Sequence, residues 1–281
     1  MLPTFLVIGA YKAGTTSLYH YLRAHPQVFM TEAKETFYFT DHAYGNGREW
    51  YEAQFDAAGG AIARGEASTA YSAWPFFEHV PERAHALVPD AQLVYVLRHP
   101  IERLLSQYRF DARTWWDKRP IDEAVLDELR YVSRSRYATQ IEQWLPYYPL
   151  DRMHFLTSEN LRDHRARELR RVYAFLGVDP DFVPRDVDRE HNRRQDLRTE
   201  NEAVRRLRGT VLHRAARAVV PKGLRHAVWR LGTTEKQPDV VAATISPEVE
   251  QRLMDLLRDD LDRLRGYVGP GFDAWGLLDK A

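Results

Sequence analysis

The chain has 281 residues, 44% hydrophobic and 28% charged, which suits one large α/β domain or two small ones and excludes a disordered or fibrous protein. Forty basic and forty acidic side chains cancel, so no whole-chain charge points to nucleic acid. The absence of cysteine excludes disulfides, thiolate nucleophiles, cysteine-ligated zinc and iron–sulfur clusters together.

Met1-Leu2-Pro3-Thr4 leads at once into an apolar run, with no leader or membrane-spanning pattern, and a cytoplasmic location is the expectation. That run, Phe5-Leu6-Val7-Ile8-Gly9, reads as a strand buried on both faces. Residues 15–24 place Leu18, Tyr19 and Leu22 at helical spacing and stop at His25-Pro26. Further strands are predicted over 61–66, 92–97 and 153–157, and helices over 101–108, 137–144 and 168–176, the last ended by Gly177. The alternation through 4–178 predicts an α/β fold, a mostly parallel central sheet flanked by helices with its ligand at the C-terminal ends of the strands. The segment 247–264 opens with Ser246 as N-cap and Pro247 at the first helical position. Its stripe of Val249, Leu253, Leu256, Leu257, Leu261 and Leu264 is expected to pack onto the sheet. No linker divides the chain, so 1–281 reads as one domain, with a core over 4–178 and a helical, partly basic portion over 199–281.

Between the first strand and the first helix lies Gly9-Ala10-Tyr11-Lys12-Ala13-Gly14-Thr15-Thr16-Ser17. Glycines five apart and hydroxyls opening a helix suit an anion, because the amides of a first helical turn point at it. The fold expected is therefore P-loop-like. A nucleoside triphosphate loop carries its lysine just after the second glycine, where this chain has Thr15; its own lysine stands three residues earlier, at Lys12. A βα turn using glycine for geometry alone is the plain alternative, and the cluster of Lys12, Gly14, Thr15, Thr16 and Ser17 argues against it.

Tyr11 to Leu18 resembles the 5′-phosphosulfate loop of sulfotransferases that use 3′-phosphoadenosine 5′-phosphosulfate (PAPS). A second segment, Leu97-Arg98-His99-Pro100-Ile101-Glu102-Arg103-Leu104-Leu105-Ser106-Gln107-Tyr108, is similar to the family's Arg-x-Pro-x-x-Arg-x-x-Ser-x-Tyr pattern. The resemblance implies that Lys12, Ala13, Gly14, Thr15, Thr16 and Ser17 bind the 5′-phosphosulfate, with Lys12 neutralising the leaving oxygen. It implies that Arg98 and Ser106 bind the 3′-phosphate. Lys34-Glu35-Thr36-Phe37-Tyr38-Phe39 resembles a Lys-Glu-x-x-Phe-Phe segment of heparan-type members, which makes Glu35 the implied general base. His20, His25 and His99 are the alternative bases, and pairing with Lys34 is the structural alternative for Glu35. Gly65-Glu66-Ala67-Ser68-Thr69-Ala70-Tyr71 resembles Gly-Glu-Lys-Ser-x-x-Tyr, with Ala67 where many members carry a second active-site lysine.

Stretches 137–145, 152–161 and 171–177 are similar to the family's structural landmarks. The family's Lys-Gly-Arg nucleotide clamp is not recognisable past residue 178, and Arg193 or Arg194 is the candidate to replace it. The implied activity is transfer of the sulfuryl group from PAPS, as co-substrate, to a hydroxyl of a carbohydrate, lipid or small-metabolite acceptor. No metal is required by that scheme, and no nucleic acid or obligate protein partner is implied. A P-loop-like nucleoside or small-molecule kinase and a non-catalytic nucleotide-binding scaffold are the rival readings. Residues 203–234 hold eight basic side chains and no acid, interleaved with apolar positions. That stretch reads either as a helical cover for the site or as a surface for a membrane or an anionic acceptor. Trp115 and Trp116 read as buried lid residues or as an acceptor platform.

Overall fold

The computed structural model describes residues 1–114, 116–185, 199–200, 233–234 and 243–278. Trp115, Arg193, Arg194 and nearly all of the basic segment 203–234 lie outside the described residues. Within 199–234, only the backbone pairing of Thr199–Glu200 with Thr233–Thr234, antiparallel, is described.

Five strands, β1 (Phe5–Gly9), β2 (Val28–Met30), β3 (Ala63–Ala67), β4 (Gln92–Leu97) and β5 (Met153–Thr157), form one sheet in the order β2-β3-β1-β4-β5. Every neighbouring pair is parallel. All five residues of β1 and all of β4 after Gln92 are buried, as helices on both faces of a parallel sheet require. Among the described residues the α-helices in chain order are α1 (Thr15–Ala24), α2 (Gly47–Ala53), α3 (Val80–Leu87), α4 (Pro100–Arg113), α5 (Ile121–Ala124), α6 (Tyr137–Trp144), α7 (Ser158–Asp163), α8 (Arg165–Phe175) and α9 (Pro247–Val268).

From β1 the chain runs first to the edge strand β2, returns to place β3 between β2 and β1, then crosses to lay β4 on the other side of β1. The switch point therefore lies between the C-terminal ends of β1 and β4, where open α/β sheets form their ligand crevice.

Ser246 caps α9 as expected, its hydroxyl accepting from the Val249 N–H at 3.4 Å. Leu253, Leu257, Leu261 and Leu264 are fully buried. The helix does not lie chiefly on the sheet, however: it packs on α6. The buried Asp260 carboxylate accepts from the Ala138 N–H at 2.9 Å, the Thr139 N–H at 2.9 Å and the Thr139 hydroxyl at 2.8 Å. These amides belong to the first turn of α6, which has no capping side chain of its own, so α9 supplies the anion that a helix N-terminus favours.

Candidate functional site

The switch point is occupied by the loop joining β1 to α1. Gly14 stands at the N-cap with φ 94°, a left-handed conformation that a side chain would strain, and no side chain caps the helix start. The Ser17 N–H is engaged by the Gly14 carbonyl at 3.0 Å, so the amides without intrahelical partners at the mouth are those of Thr15 and Thr16. Ala13 and Thr15 are buried, while Lys12, Thr16 and Ser17 are half-buried.

Lys12 itself has φ 67°, uncommon for a residue with a side chain. Its ammonium lies 4.5 Å from the centre of the Phe110 ring and 5.7 Å from that of Tyr11. Burial, with Arg113 and Arg98 adding repulsion, pushes the Lys12 ammonium down to about 8. The Arg113 guanidinium shares the Phe110 ring at 5.5 Å, and that of Arg134 sits 5.1 Å from the Tyr11 ring centre and 5.7 Å from that of Phe76. Among the described residues, Lys12, Arg113 and Arg134 form no ion pair with a carboxylate. Three half-buried cations on three aromatic rings make a pocket that favours an anion.

Arg98, at the end of β4, reaches across the switch point: Nη1 donates to the Lys12 carbonyl at 3.0 Å and Nη2 to Glu102 at 3.3 Å. Ser106 stands half-buried in the second turn of α4. The other arginine of the segment, Arg103, is 0% exposed and structural. It donates to Ser135 Oγ at 2.6 Å, Gln107 Oε1 at 2.8 Å and the Tyr131 carbonyl at 2.5 Å, fixing α4 to the 128–135 turn.

Glu35 reaches the same end of the sheet because its loop is clasped to β3. The Ala67 N–H donates to the Lys34 carbonyl at 3.3 Å and the Ser68 N–H to the Val7 carbonyl at 3.1 Å. Beneath it, the fully buried Glu66 accepts from Tyr51 at 2.6 Å, Tyr71 at 2.7 Å, Ser68 at 2.8 Å and Thr36. Burial raises the Glu66 pKa, and the four hydroxyl donors oppose that rise. The Glu35 carboxylate pairs with Lys34 through one oxygen and accepts the Thr69 N–H at 2.7 Å through the other. Its charge contributes to the elevation of the Tyr11 phenol, which burial and Asp111 chiefly push up to about 12.

The structure thus gathers Lys12, the opening of α1, Arg98 and Glu35 at one end of the sheet. The three histidines differ. His25 is a core residue, its ring between Tyr173 and Phe182 and both nitrogens engaged, with the Asp179 carbonyl at 3.0 Å and the Gln27 N–H at 3.1 Å. His20 stands half-buried inside α1 beside Tyr19, and His99 packs near Trp275. Trp116 is 75% exposed and so is not a buried lid residue. Sequence reasoning passed over Arg113 and Arg134, which no motif marks; only the fold brings them to the lysine.

The profile of the sulfotransferase domain matches residues 2–210. The chain belongs to the sulfotransferase family. Among curated relatives, the chain is 31% identical over 191 residues to heparan sulfate glucosamine 3-O-sulfotransferase 3B1 of Mus musculus, covering 63% of this chain and 46% of the relative. It is 30% identical over 211 residues to the bifunctional heparan sulfate N-deacetylase/N-sulfotransferase of Drosophila melanogaster, covering 64% of this chain and 20% of that one. The chain thus spans less than half the length of these relatives. In fold it is similar to a sulfotransferase from Alicyclobacillus acidocaldarius, with a TM-score of 0.71 at 21% identity over 98% of this chain and 99% of the other. The sulfotransferase domain from the curacin biosynthetic pathway aligns with a TM-score of 0.51 at 14% identity over 92% and 98% of the two chains.

Proposed function

We propose that this sulfotransferase moves the sulfuryl group of PAPS to a hydroxyl of a carbohydrate-type acceptor. The observation that carries the reading is the bond from Arg98 to the Lys12 carbonyl, which couples the two segments that resemble the family's donor-binding motifs at the sheet's switch point. The names of the heparan sulfate relatives support the carbohydrate acceptor.

The residues fit such a donor: an uncapped helix start, a lysine without an acidic partner among the described residues and an arginine at a strand end form a set made for anions. PAPS supplies an activated sulfur–oxygen bond. The amides of Thr15 and Thr16 and the two hydroxyls hold the 5′-phosphate, with Ala13, Gly14 and Ser17 shaping the loop around it. Lys12 stabilises the charge that grows on the bridging oxygen as its bond to sulfur breaks. Arg98 and Ser106 hold the 3′-phosphate. Glu35 accepts the proton of the acceptor hydroxyl as the new oxygen–sulfur bond forms, and the products are the sulfate ester and adenosine 3′,5′-bisphosphate. Catalysis on this scheme is mostly orientation and charge compensation.

Two measurements test it. Adenosine 3′,5′-bisphosphate should raise the thermal midpoint in the presence of a chelator, as mass action requires of a native-state ligand. Labelled PAPS should add one sulfuryl mass to a heparan-type oligosaccharide. Protection by ATP with magnesium and none by the bisphosphate would overturn the donor assignment.

A further inference from the structure

We propose that Glu159 and Trp275 form a latch that positions Arg98, making affinity for the donor's 3′-phosphate depend on a turn that follows α9. This rests on the reading of Arg98 given above.

The link from β4 to α4 is only Arg98-His99, and its backbone, with that of Pro100, is held by side chains from elsewhere. The Arg98 carbonyl accepts from the Tyr137 hydroxyl at 2.7 Å, the His99 N–H donates to Glu159 Oε1 at 3.0 Å, and the Pro100 carbonyl accepts from Ser135 Oγ at 3.2 Å. Two of these partners, Tyr137 and Ser135, sit at or just before the start of α6. Glu159, in the first turn of α7, serves two donors at once: its Oε2 accepts the Trp275 indole N–H at 3.2 Å. The indole lies 6.1 Å from the His99 ring and 6.2 Å from that of Tyr137, so it backs both the carboxylate and the hydroxyl that hold the link.

The turn that delivers this indole is itself constrained. Ala274, Trp275 and Gly276 are successively left-handed, at φ 51°, 59° and 65°, and the Asp273 carboxylate holds the Trp275 N–H at 2.9 Å. A bulky side chain takes that conformation only where its surroundings demand it. A turn needed only to finish packing has no call for a Trp aimed at the carboxylate behind Arg98. Glu159 also lies in the stretch 152–161 that resembles one of the family's structural landmarks, so a residue that reads as structural acquires a route to the ligand.

Trp275→Phe keeps an aromatic ring, smaller than the indole, and removes the N–H; Glu159→Gln keeps the shape but leaves only one acceptor for two donors. Calorimetric titration with adenosine 3′,5′-bisphosphate and with adenosine 5′-phosphate reads the preference for the 3′-phosphate directly. Each variant should lose about threefold to tenfold in bisphosphate affinity, the range of one hydrogen bond, with adenosine 5′-phosphate affinity unchanged. Arg98→Ala should abolish most of the preference, and Trp275→Phe added to it should lose nothing more. If Arg98→Ala keeps the preference, the donor reading of Arg98 falls. If Arg98→Ala loses it while both latch variants keep it, or weaken the two nucleotides equally, the latch is overturned and Trp275 serves stability alone.

Discussion

Arg98 donates through Nη1 to the main-chain carbonyl of Lys12 at 3.0 Å, fastening the end of β4 to the loop that follows β1. A guanidinium is a rigid planar fork of donors that matches a phosphate bidentately, whereas an ammonium is a point donor. Arg98→Lys is therefore expected to cost roughly tenfold or more in affinity for adenosine 3′,5′-bisphosphate despite the conserved charge. Calorimetric titration checks it, and wild-type affinity in the lysine variant would detach Arg98 from the donor.

Lys12 gives a pH dependence of defined sign. Burial pushes its ammonium down to about 8 from the ordinary 10.5, and Arg113 and Arg98 add repulsion. An anion binds the protonated form, so bisphosphate affinity should be level below about pH 8 and fall by up to tenfold per unit above it. Arg113→Gln removes one of the like charges and should move the onset to higher pH. In the ligand-free protein the unfolded chain holds the proton more tightly between about 8 and 10.5, so the burial cost is fully present below that interval and stability rises across it.

For Glu35 the expected result separates binding from chemistry. Glu35→Gln retains a carbonyl for the Thr69 N–H and loses the ability to take a proton. Turnover should drop by about 10²–10⁴, the usual contribution of a general base, while bisphosphate affinity stays within twofold or so. Turnover within a few-fold of wild type would pass the role to another group, with His99 and His20 next in line and His25 excluded by its core contacts.

Asp260 accounts for how α9 is held. Asp260→Ala leaves the Ala138 and Thr139 amides without their partner in a buried place, and a loss of about 2–4 kcal/mol is expected. Urea unfolding followed by circular dichroism measures it; a change below about 0.5 kcal/mol would mean that water replaces the carboxylate at no net cost.

Much of the fold was legible because the buried strands are written as apolar runs. Phe5–Gly9, Gln92–Leu97 and Met153–Thr157 stand where the sequence places them. β2 escaped notice, since Val28–Met30 is too short to carry a period. β3 was placed two residues early at its start because Ala63-Arg64-Gly65-Glu66-Ala67 is not an apolar run at all. Its burial comes from the opposite strategy: a Cβ on Gly65 would sit 2.3 Å from the Phe5 ring, so the strand makes room for a neighbour's side chain instead of offering its own. The donor motifs were legible as local spacing. Arg113, Arg134, Glu159 and Trp275 were not, because their roles arise from packing between distant segments, which no spacing records. The same limit explains α9: its apolar stripe predicted a buried face, and a single carboxylate on that face decided that the face meets α6.

Asp260 follows Ala138 by 122 residues, so α6 leaves the ribosome long before the carboxylate that satisfies its first turn exists. At about 5–20 residues per second the delay is roughly 6–24 s. Early in it, once Thr157 has been added, all five strands of the sheet have been made, while the opening amides of α6 depend on water and the face of α6 destined for α9 stays bare. Birth of this protein therefore includes an interval in which a nearly finished domain offers the bare face of α6 to other nascent chains, and holdases that shield apolar surface would have their work concentrated there, ending when α9 emerges.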